Sequence, residues 1–350
     1  MKNLLLLIGL LLTFGLQAQE YDFIPEGLTL MPVEEVYKKP PPKELDLVFY
    51  ENGEKATLQE AFGLFMKGKH IPHMFVDGDG NYKALVIVSS ETKIDHDNIP
   101  ENLASYGYSI GNPNSNKIIV YCQGGPSTQL GRSTLVDIFD GKVDMNNVFI
   151  IHLHQAQTLK PELFKNEEIS FDKAKEFSKY TTKMLADIIS YFKSQDKDVY
   201  VFGFSFGAFV AADLIAEYGN VADGYLLMGG RLDMTEEVWK AWSDGIEAKR
   251  NSDAVGVTIG EKSNDVNMVN IRKIGASFGY KRYTKLLQPY DLSNLVYIYG
   301  EKDLQVGTLT ADEVKFLNSK NAKVISNKKG HADIFLDNLQ EGFDLLLKSN

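Results

Sequence analysis

From Lys117 onward the chain alternates short apolar segments with longer amphipathic ones, and this alternation limits the fold more than any other feature of the sequence. Six segments are typical of buried strands: Ile118–Cys122, Val148–His152, Val199–Phe202, Gly224–Met228, Leu295–Tyr299 and Lys323–Ser326. Phe171–Lys193 carries apolar residues at helical spacing. Parallel strands need long crossover connections, which helices provide. We therefore predict an α/β fold in which a mostly parallel central sheet has helices on both faces.

Residues 231–291 interrupt the alternation and are aromatic and helix-like, with no strong strand before Leu295. They predict a helical cap inserted into an α/β domain made of residues 45–230 and 292–350. The N-terminal part of the α/β domain contains three further predicted strands, Leu45–Tyr50, Met74–Val76 and Lys83–Val88. The Asp-Gly pairs of residues 77–81 favour a tight hairpin turn between the last two.

The first 18 residues have the pattern of a secretory signal peptide. Lys2 precedes an apolar run, Leu4–Leu12, which continues to the small residue Ala18. The run is shorter than the roughly 20 residues that span a bilayer, so we expect cleavage and no membrane span in the mature chain. The proline-rich residues 19–44 predict an extended leader. The expected location is secreted or periplasmic.

Charge and cysteine content exclude several classes of protein. The net charge of −10 makes nucleic acid an unfavourable partner. The single cysteine, Cys122, cannot form an internal disulfide, and its place at the end of an apolar segment predicts a buried core residue.

The strongest local motif is Gly203-Phe-Ser205-Phe-Gly207, which lies between a predicted strand and a predicted helix. In this context Gly-x-Ser-x-Gly places a serine on a sharp turn, with its hydroxyl above the sheet. The amide of Phe206 then lies at a helix N-terminus, where it favours an oxyanion. Ser205 is the candidate nucleophile.

A serine nucleophile needs a base and an acid, expected later in the chain in the order acid, then histidine. His331 follows the last predicted strand and precedes the final amphipathic helix, so it is the candidate base. Asp303 follows Leu295–Tyr299 in a loop and is the preferred acid. Three other carboxylates stay open as alternatives, namely Glu301, Asp312 and Asp333.

A second oxyanion donor is expected from Gln123-Gly124-Gly125-Pro126, directly after Ile118–Cys122. Pro126 has no N–H, so Gly125 is preferred and Gly124 is the reserve.

Together, these motifs resemble the α/β-hydrolase superfamily over residues 73–348. The glycine loop is similar to that of the proline iminopeptidase-like branch of serine peptidases, which carries His-Gly-Gly-Pro-Gly; this chain has Gln123 and Ser127 at the first and last positions. The resemblance implies the fold and a Ser-His-Asp triad. That branch binds a substrate amino group through acidic cap residues, and four glutamates lie in the predicted cap: Glu236, Glu237, Glu247 and Glu261.

We expect an exported serine hydrolase that cleaves an ester or amide bond of a small-molecule or peptide acyl substrate without a cofactor. The alternatives are an acyltransferase on the same triad and a non-catalytic binding protein of the same fold. His152 and His154 have a spacing that some metal sites use, but no further ligand cluster accompanies them, so no metal is predicted.

Overall fold

A computed structural model of the protein describes residues 21, 23–31, 35–36, 39–51, 53–66, 70–89, 93–130, 135 and 138–348. The predicted signal peptide, residues 1–18, lies outside the described residues. Within the described part, no helix has the length and apolar character that a membrane crossing requires. The chain divides into two compact units, residues 1–92 and 93–350.

In its described residues, the first unit contains a four-stranded sheet and the helix α1 (Leu58–Met66). Its strands are β1 (Thr29–Leu30), β2 (Leu47–Tyr50), β3 (His70–Val76) and β4 (Tyr82–Ser89), in the sheet order β1-β3-β4-β2. Strands β3 and β4 form the antiparallel hairpin expected from the sequence. Its turn is held by the Asp77 carboxylate, which accepts the backbone N–H groups of Asp79 and Asn81. Residues 45–92 were expected to belong to the α/β domain, but their described strands pair within this separate sheet.

The second unit is built on a seven-stranded sheet. Its strands are β5 (Gly107–Gly111), β6 (Lys117–Cys122), β7 (Phe149–Leu153), β8 (Asp198–Phe204), β9 (Gly224–Met228), β12 (Leu295–Gly300) and β13 (Lys323–Asn327), in the order β13-β12-β9-β8-β6-β7-β5. Every neighbouring pair is parallel except β5 with β7. The six predicted strands are confirmed within one or two residues at each end. The edge strand β5 was missed because its sequence, Gly-Tyr-Ser-Ile-Gly, is short and glycine-bounded.

Helices cover both faces of this sheet. The described helices of the second unit are α2 (Glu101–Ala104), α3 (Ala156–Leu159), α4 (Phe171–Lys193), α5 (Phe206–Tyr218), α6 (Glu236–Ser243), α7 (Val266–Gly279), α8 (Tyr283–Leu286), α9 (Ala311–Ser319) and α10 (His331–Lys348), with a 3₁₀ turn at Pro161–Phe164. Alternate residues of the central strands enter two different apolar clusters. Val199 and Val201 of β8 pack with α4 and α5, whereas Tyr200 and Phe202 pack with α10. The predicted fold class is therefore confirmed.

The inserted segment, residues 231–291, is not purely helical as expected. Between α6 and α7 it forms an antiparallel hairpin of β10 (Ile246–Arg250) and β11 (Val257–Lys262). Most hairpin side chains are partly or fully exposed, so the segment lacks the apolar run that marks a buried strand. At the C-terminal end of the insertion, the Lys281 ammonium lies 2.5 Å from the buried Asp213 carboxylate of α5.

Strand β8 passes into α5 through Ser205, and two glycines make this turn possible. A Cβ on Gly207 would lie 1.9 Å from the carbonyl oxygen of Cys122, and one on Gly203 would lie 2.4 Å from that of Gly207. Both obstacles are backbone atoms of the sheet and helix, which cannot rotate away. The close approach of β6, β8 and α5 therefore depends on the absence of two side chains.

We predict that Gly207→Ala prevents stable folding of the second unit, because the added methyl group requires β6 and α5 to separate. The expected loss exceeds about 3 kcal/mol in the free energy of unfolding, measured by urea denaturation. The control is Gly63→Ala in α1, where a Cβ would meet nothing within 4 Å. This change is expected to be neutral or to stabilise by less than about 1 kcal/mol. Equal stability of the two variants would contradict the steric account.

Candidate active site

Ser205 lies at the carboxyl edge of the sheet in a strained backbone conformation. Its φ is 54° and its ψ is −115°, values that side-chain-bearing residues rarely adopt. Its amide donates to the carbonyl of Met228 at 2.7 Å, which fixes the turn against the end of β9. Such strain persists only where the surrounding structure determines it, and it is concentrated at functional sites.

His331 and Asp303 come from separate loops and meet in the interior. The Nδ1 atom of His331 lies 2.5 Å from Oδ2 of Asp303, and both side chains are buried. The other carboxylate oxygen accepts the backbone N–H groups of Gln305 at 2.9 Å and Val306 at 3.0 Å, so the carboxylate cannot rotate freely. A proton on Nδ1, directed at this carboxylate, leaves Nε2 as the acceptor nitrogen of the ring.

The other three carboxylates do not contact His331. Glu301, Asp312 and Asp333 are exposed, and Asp333 lies in the first turn of α10, where its carboxylate accepts the Gly330 N–H at 3.3 Å. Among the described residues, Asp303 is the carboxylate within hydrogen-bonding distance of this imidazole.

Ser205 and His331 lie on either side of the glycine pair that follows β9. A Cβ on Gly229 would lie 3.1 Å from Cε1 of His331, and one on Gly230 would lie 3.6 Å from the carbonyl oxygen of Ser205. The ring of Phe204 lies 5.1 Å from the imidazole. No hydrogen bond joins the Ser205 hydroxyl to His331 in the described part of the chain. Catalytic hydrogen bonds without substrate are often long and shorten when substrate binds.

The glycine loop also reaches Ser205. A Cβ on Gly124 would lie 3.3 Å from Cβ of Ser205, so the loop passes directly beside the elbow. Gly125 has a φ of 140°, which favours glycine, and it lines the same cavity as Ser205 and Phe206. The structure thus brings the three residues predicted for the oxyanion hole close to the predicted nucleophile.

Buried glutamines support the glycine loop, a feature that the sequence analysis missed. The Gln155 side chain donates to the carbonyl of Gln123 at 2.9 Å, and Gln157 donates to Gln155 at 2.6 Å. The Gln123 side chain in turn donates to the carbonyl of Gln129 at 2.7 Å. The available signal was the position of Gln155 just after β7, since polar residues at the carboxyl ends of parallel strands line ligand sites.

His152 and His154 are buried and hydrogen-bonded to neighbouring side chains. Nδ1 of His152 lies 2.8 Å from the Tyr108 hydroxyl, and Nδ1 of His154 lies 2.9 Å from the Thr158 hydroxyl. Burial lowers the pKa of His154 to about 4; burial and the neighbouring His154 place the pKa of His152 well below its ordinary value. Within the described residues, no three His, Cys, Asp or Glu side chains are grouped to hold a metal.

A narrow cavity opens beside Ser205, with about 30 Å³ of space for solvent inside it and about 460 Å³ of empty volume when its open mouth is included. It is lined by Gly125, Pro126, Ser205, Phe206, Phe209, Met234, Val238, Trp242, Ala248, Arg250, Gly275, Gln305 and Val306. Its wall is mostly apolar, and Arg250 is the charged residue in it. None of the four glutamates predicted to lie in the cap lines this cavity.

A buried ion pair involves Arg231, the residue that directly follows Gly229 and Gly230. Nε and Nη2 of Arg231 contact the two carboxylate oxygens of Glu313 at 3.0 and 2.9 Å, and both side chains are buried. Glu313 also accepts the amides of Leu232 and Asp233 at 3.0 and 2.9 Å. The pair therefore holds the chain leaving β9 against α9.

This sheet order, with a strained serine between its central strand and the following helix, is the α/β-hydrolase fold. No protein-family model matches the chain, and no curated protein matches its sequence.

Solved structures of low sequence identity resemble the chain. MGS-M2, an α/β hydrolase enzyme from a Medee basin deep-sea metagenome library, is 13% identical, with 69% of this chain and 92% of that chain covered and a TM-score of 0.46. MenH from S. aureus is 14% identical, with 70% and 98% covered and a TM-score of 0.44. The putative non-heme bromoperoxidase BpoC from Mycobacterium tuberculosis H37Rv is 12% identical, with 68% and 92% covered and a TM-score of 0.44. These TM-scores lie below 0.5, so the fold is assigned from the strand order and connectivity of this chain alone.

We predict that Glu313→Gln lowers the free energy of unfolding by about 3 kcal/mol or more, because it leaves the Arg231 guanidinium buried without a counter-charge. Urea denaturation measures the loss. The matched control is Asp337→Asn, which removes a carboxylate from an ion pair with Lys329 that is about half exposed. That change is expected to cost less than about 1 kcal/mol. A small effect at Glu313 would show that the buried pair adds little to stability.

We also predict a loss of stability between about pH 6.5 and pH 4. Above about pH 6.5 the two buried histidines are neutral in both the folded and the unfolded chain. Below it the unfolded chain binds protons that the folded chain excludes until about pH 4 at His154, so unfolding becomes more favourable as the pH falls. His154→Asn, which can keep a bond to Thr158, is expected to remove up to about 1.4 kcal/mol of this loss per pH unit. If the wild-type protein and His154→Asn lose stability equally as the pH falls, protonation of His154 is not the cause of the loss.

Proposed function

We propose that the protein is a serine hydrolase that cleaves an ester or amide bond through an acyl-enzyme intermediate on Ser205. The observation that carries the proposal is the buried 2.5 Å contact between His331 and Asp303, next to a serine held at a positive φ. In this assignment Asp303 orients the imidazole, and His331 removes the proton from the Ser205 hydroxyl.

The reaction has two steps in this proposal. The Ser205 oxygen attacks the acyl carbon while its proton passes to Nε2 of His331, and the imidazolium then protonates the leaving group. Water next attacks the acyl carbon and gives one proton to His331; the bond between the acyl group and the Ser205 oxygen then breaks, and His331 returns the proton to that oxygen as the acid leaves. The amides of Phe206 and Gly125 hold the negative oxygen in both steps, with Gly124 as the alternative donor.

The cavity favours an ester substrate over the amino-terminal peptide that the resemblance of the glycine loop implies. An aminopeptidase must bind a substrate ammonium group, which requires carboxylates at the site. Here the charged side chain in the cavity wall is the cation Arg250. We also propose that residues 231–291 act as the cap of this site, and that the chain is exported after removal of residues 1–18.

We predict that Ser205→Ala abolishes labelling by a fluorophosphonate probe and lowers the kcat for p-nitrophenyl butyrate by at least about 10⁴-fold. The physical reason is the loss of the only oxygen that the elbow presents to the acyl carbon. Mass spectrometry of the labelled peptide and a rate assay measure the two effects. Ser190→Ala, at an exposed position of α4, is the control and is expected to keep both. Undiminished labelling of Ser205→Ala would overturn the assignment of the nucleophile.

A further inference from the structure

Arg250 occupies an unusual place for a charged side chain. It lies on β10 of the hairpin, and its neighbour on the same face of the strand, Ala248, lines the same cavity as Ser205. Lys249, between them, points to the opposite face and is exposed. The hairpin thus directs one of two adjacent cations into the cavity and the other into solvent.

The charge of Arg250 is not neutralised by any carboxylate within 4 Å among the described residues. By contrast, the nearby Arg231 is paired with Glu313, and Lys249 lies 3.1 Å from Glu247. Burial, followed by the positive charge of Arg231, lowers the pKa of Arg250 more than the more distant carboxylates of Glu313, Asp303 and Glu237 raise it, although a guanidinium keeps its proton. Partial burial of an unpaired charge is unfavourable for the folded state. An anionic ligand in direct contact with the guanidinium would reduce this cost.

The guanidinium is held in place but keeps donors free. Nη1 donates to the carbonyl of Val255 at 2.9 Å and Nη2 donates to the Thr235 hydroxyl at 2.7 Å. A guanidinium has five N–H donors, so three have no acceptor among the described residues. The group also lies against Gly307, where a Cβ would come within 2.9 Å of Nε. Arg250 is therefore positioned by its neighbours and still able to bind a planar anion with two hydrogen bonds.

We propose that Arg250 selects substrates that carry a carboxylate in addition to the scissile acyl bond, an inference that rests on the hydrolase function proposed above. One cation in a mostly apolar wall neutralises one negative charge. A phosphate dianion would keep an uncompensated charge there, close to the carboxylates of Asp303 and Glu313. The apolar lining, which includes Phe206, Phe209 and Trp242, accommodates the hydrocarbon part of the substrate.

The test compares kcat/KM for mono-p-nitrophenyl esters of succinate, glutarate and adipate with that for the neutral p-nitrophenyl hexanoate. The wild-type protein is expected to prefer at least one monoester of a diacid by about tenfold or more. Arg250→Gln is expected to lower kcat/KM for that ester by about 10- to 100-fold and to change the neutral ester less than about threefold. Lys249→Gln, which removes the same charge from the opposite face, is expected to change neither ester more than about threefold.

Binding to Ser205→Ala separates this inference from the proposed function. Calorimetry with each of the three monoesters is expected to show binding of at least one, which the additional change Arg250→Gln weakens by about 10- to 100-fold. If the hydrolase proposal fails, the esters are not cleaved, yet this Arg250-dependent binding remains. If esters are cleaved by Ser205 without a preference for the anionic ones, or if Arg250→Gln and Lys249→Gln have equal effects, the role of Arg250 is overturned.

Discussion

The contact between β6, β8 and α5 at the two elbow glycines is the constraint on which the rest of the site depends. The peptide backbone of Gly207 touches that of Cys122 so closely that a methyl group has no room. This contact forces the chain to turn within one residue, and Ser205 therefore adopts a strained backbone conformation with a positive φ. The glycine loop after β6 and the glycine pair after β9 can then approach the serine from both sides. Placement of the candidate nucleophile is thus a problem of steric packing before it is one of hydrogen bonding.

Charge interactions position the acidic and basic side chains around Ser205. Asp303 is oriented by two backbone amides and faces His331, while Arg231 and Glu313 neutralise one another behind the turn after β9. With these charges satisfied internally, Arg250 is left as the cation that faces the cavity. The chain as a whole is acidic, so this local positive charge is a property of the fold and not of the composition.

Sequence patterns predicted the sheet because both faces of its parallel strands are buried, which produces continuous apolar segments such as Val199–Phe202. They also identified Ser205, Asp303 and His331, since each follows a strand and carries a reactive group; the structure places the last two in contact, and the catalytic roles of all three stay predictions. The same reasoning missed Arg250 and Gln155. Nothing local distinguishes Arg250 from the exposed Lys249 beside it, because only the hairpin, stabilised by cross-strand pairing, determines which of them faces inward. The separate sheet formed by strands within residues 45–92 was not predicted, because strand patterns do not state which sheet a strand joins.

The helices and the hairpin of the insertion differ in how much they contribute to the core, and this difference has an evolutionary consequence. Its helices α7 and α8 contribute Ile274, Phe278 and Tyr283 to the main apolar core, and Lys281 forms an ion pair with Asp213 of α5. The hairpin between α6 and α7 contributes little to that core and has mostly exposed side chains. Mutations can therefore accumulate in the hairpin at small thermodynamic cost, while the residues around Ser205 stay fixed by packing. Substitutions in the hairpin alone can therefore alter the wall of the cavity beside Ser205, without any change in the residues that hold Ser205, Asp303 and His331 in place.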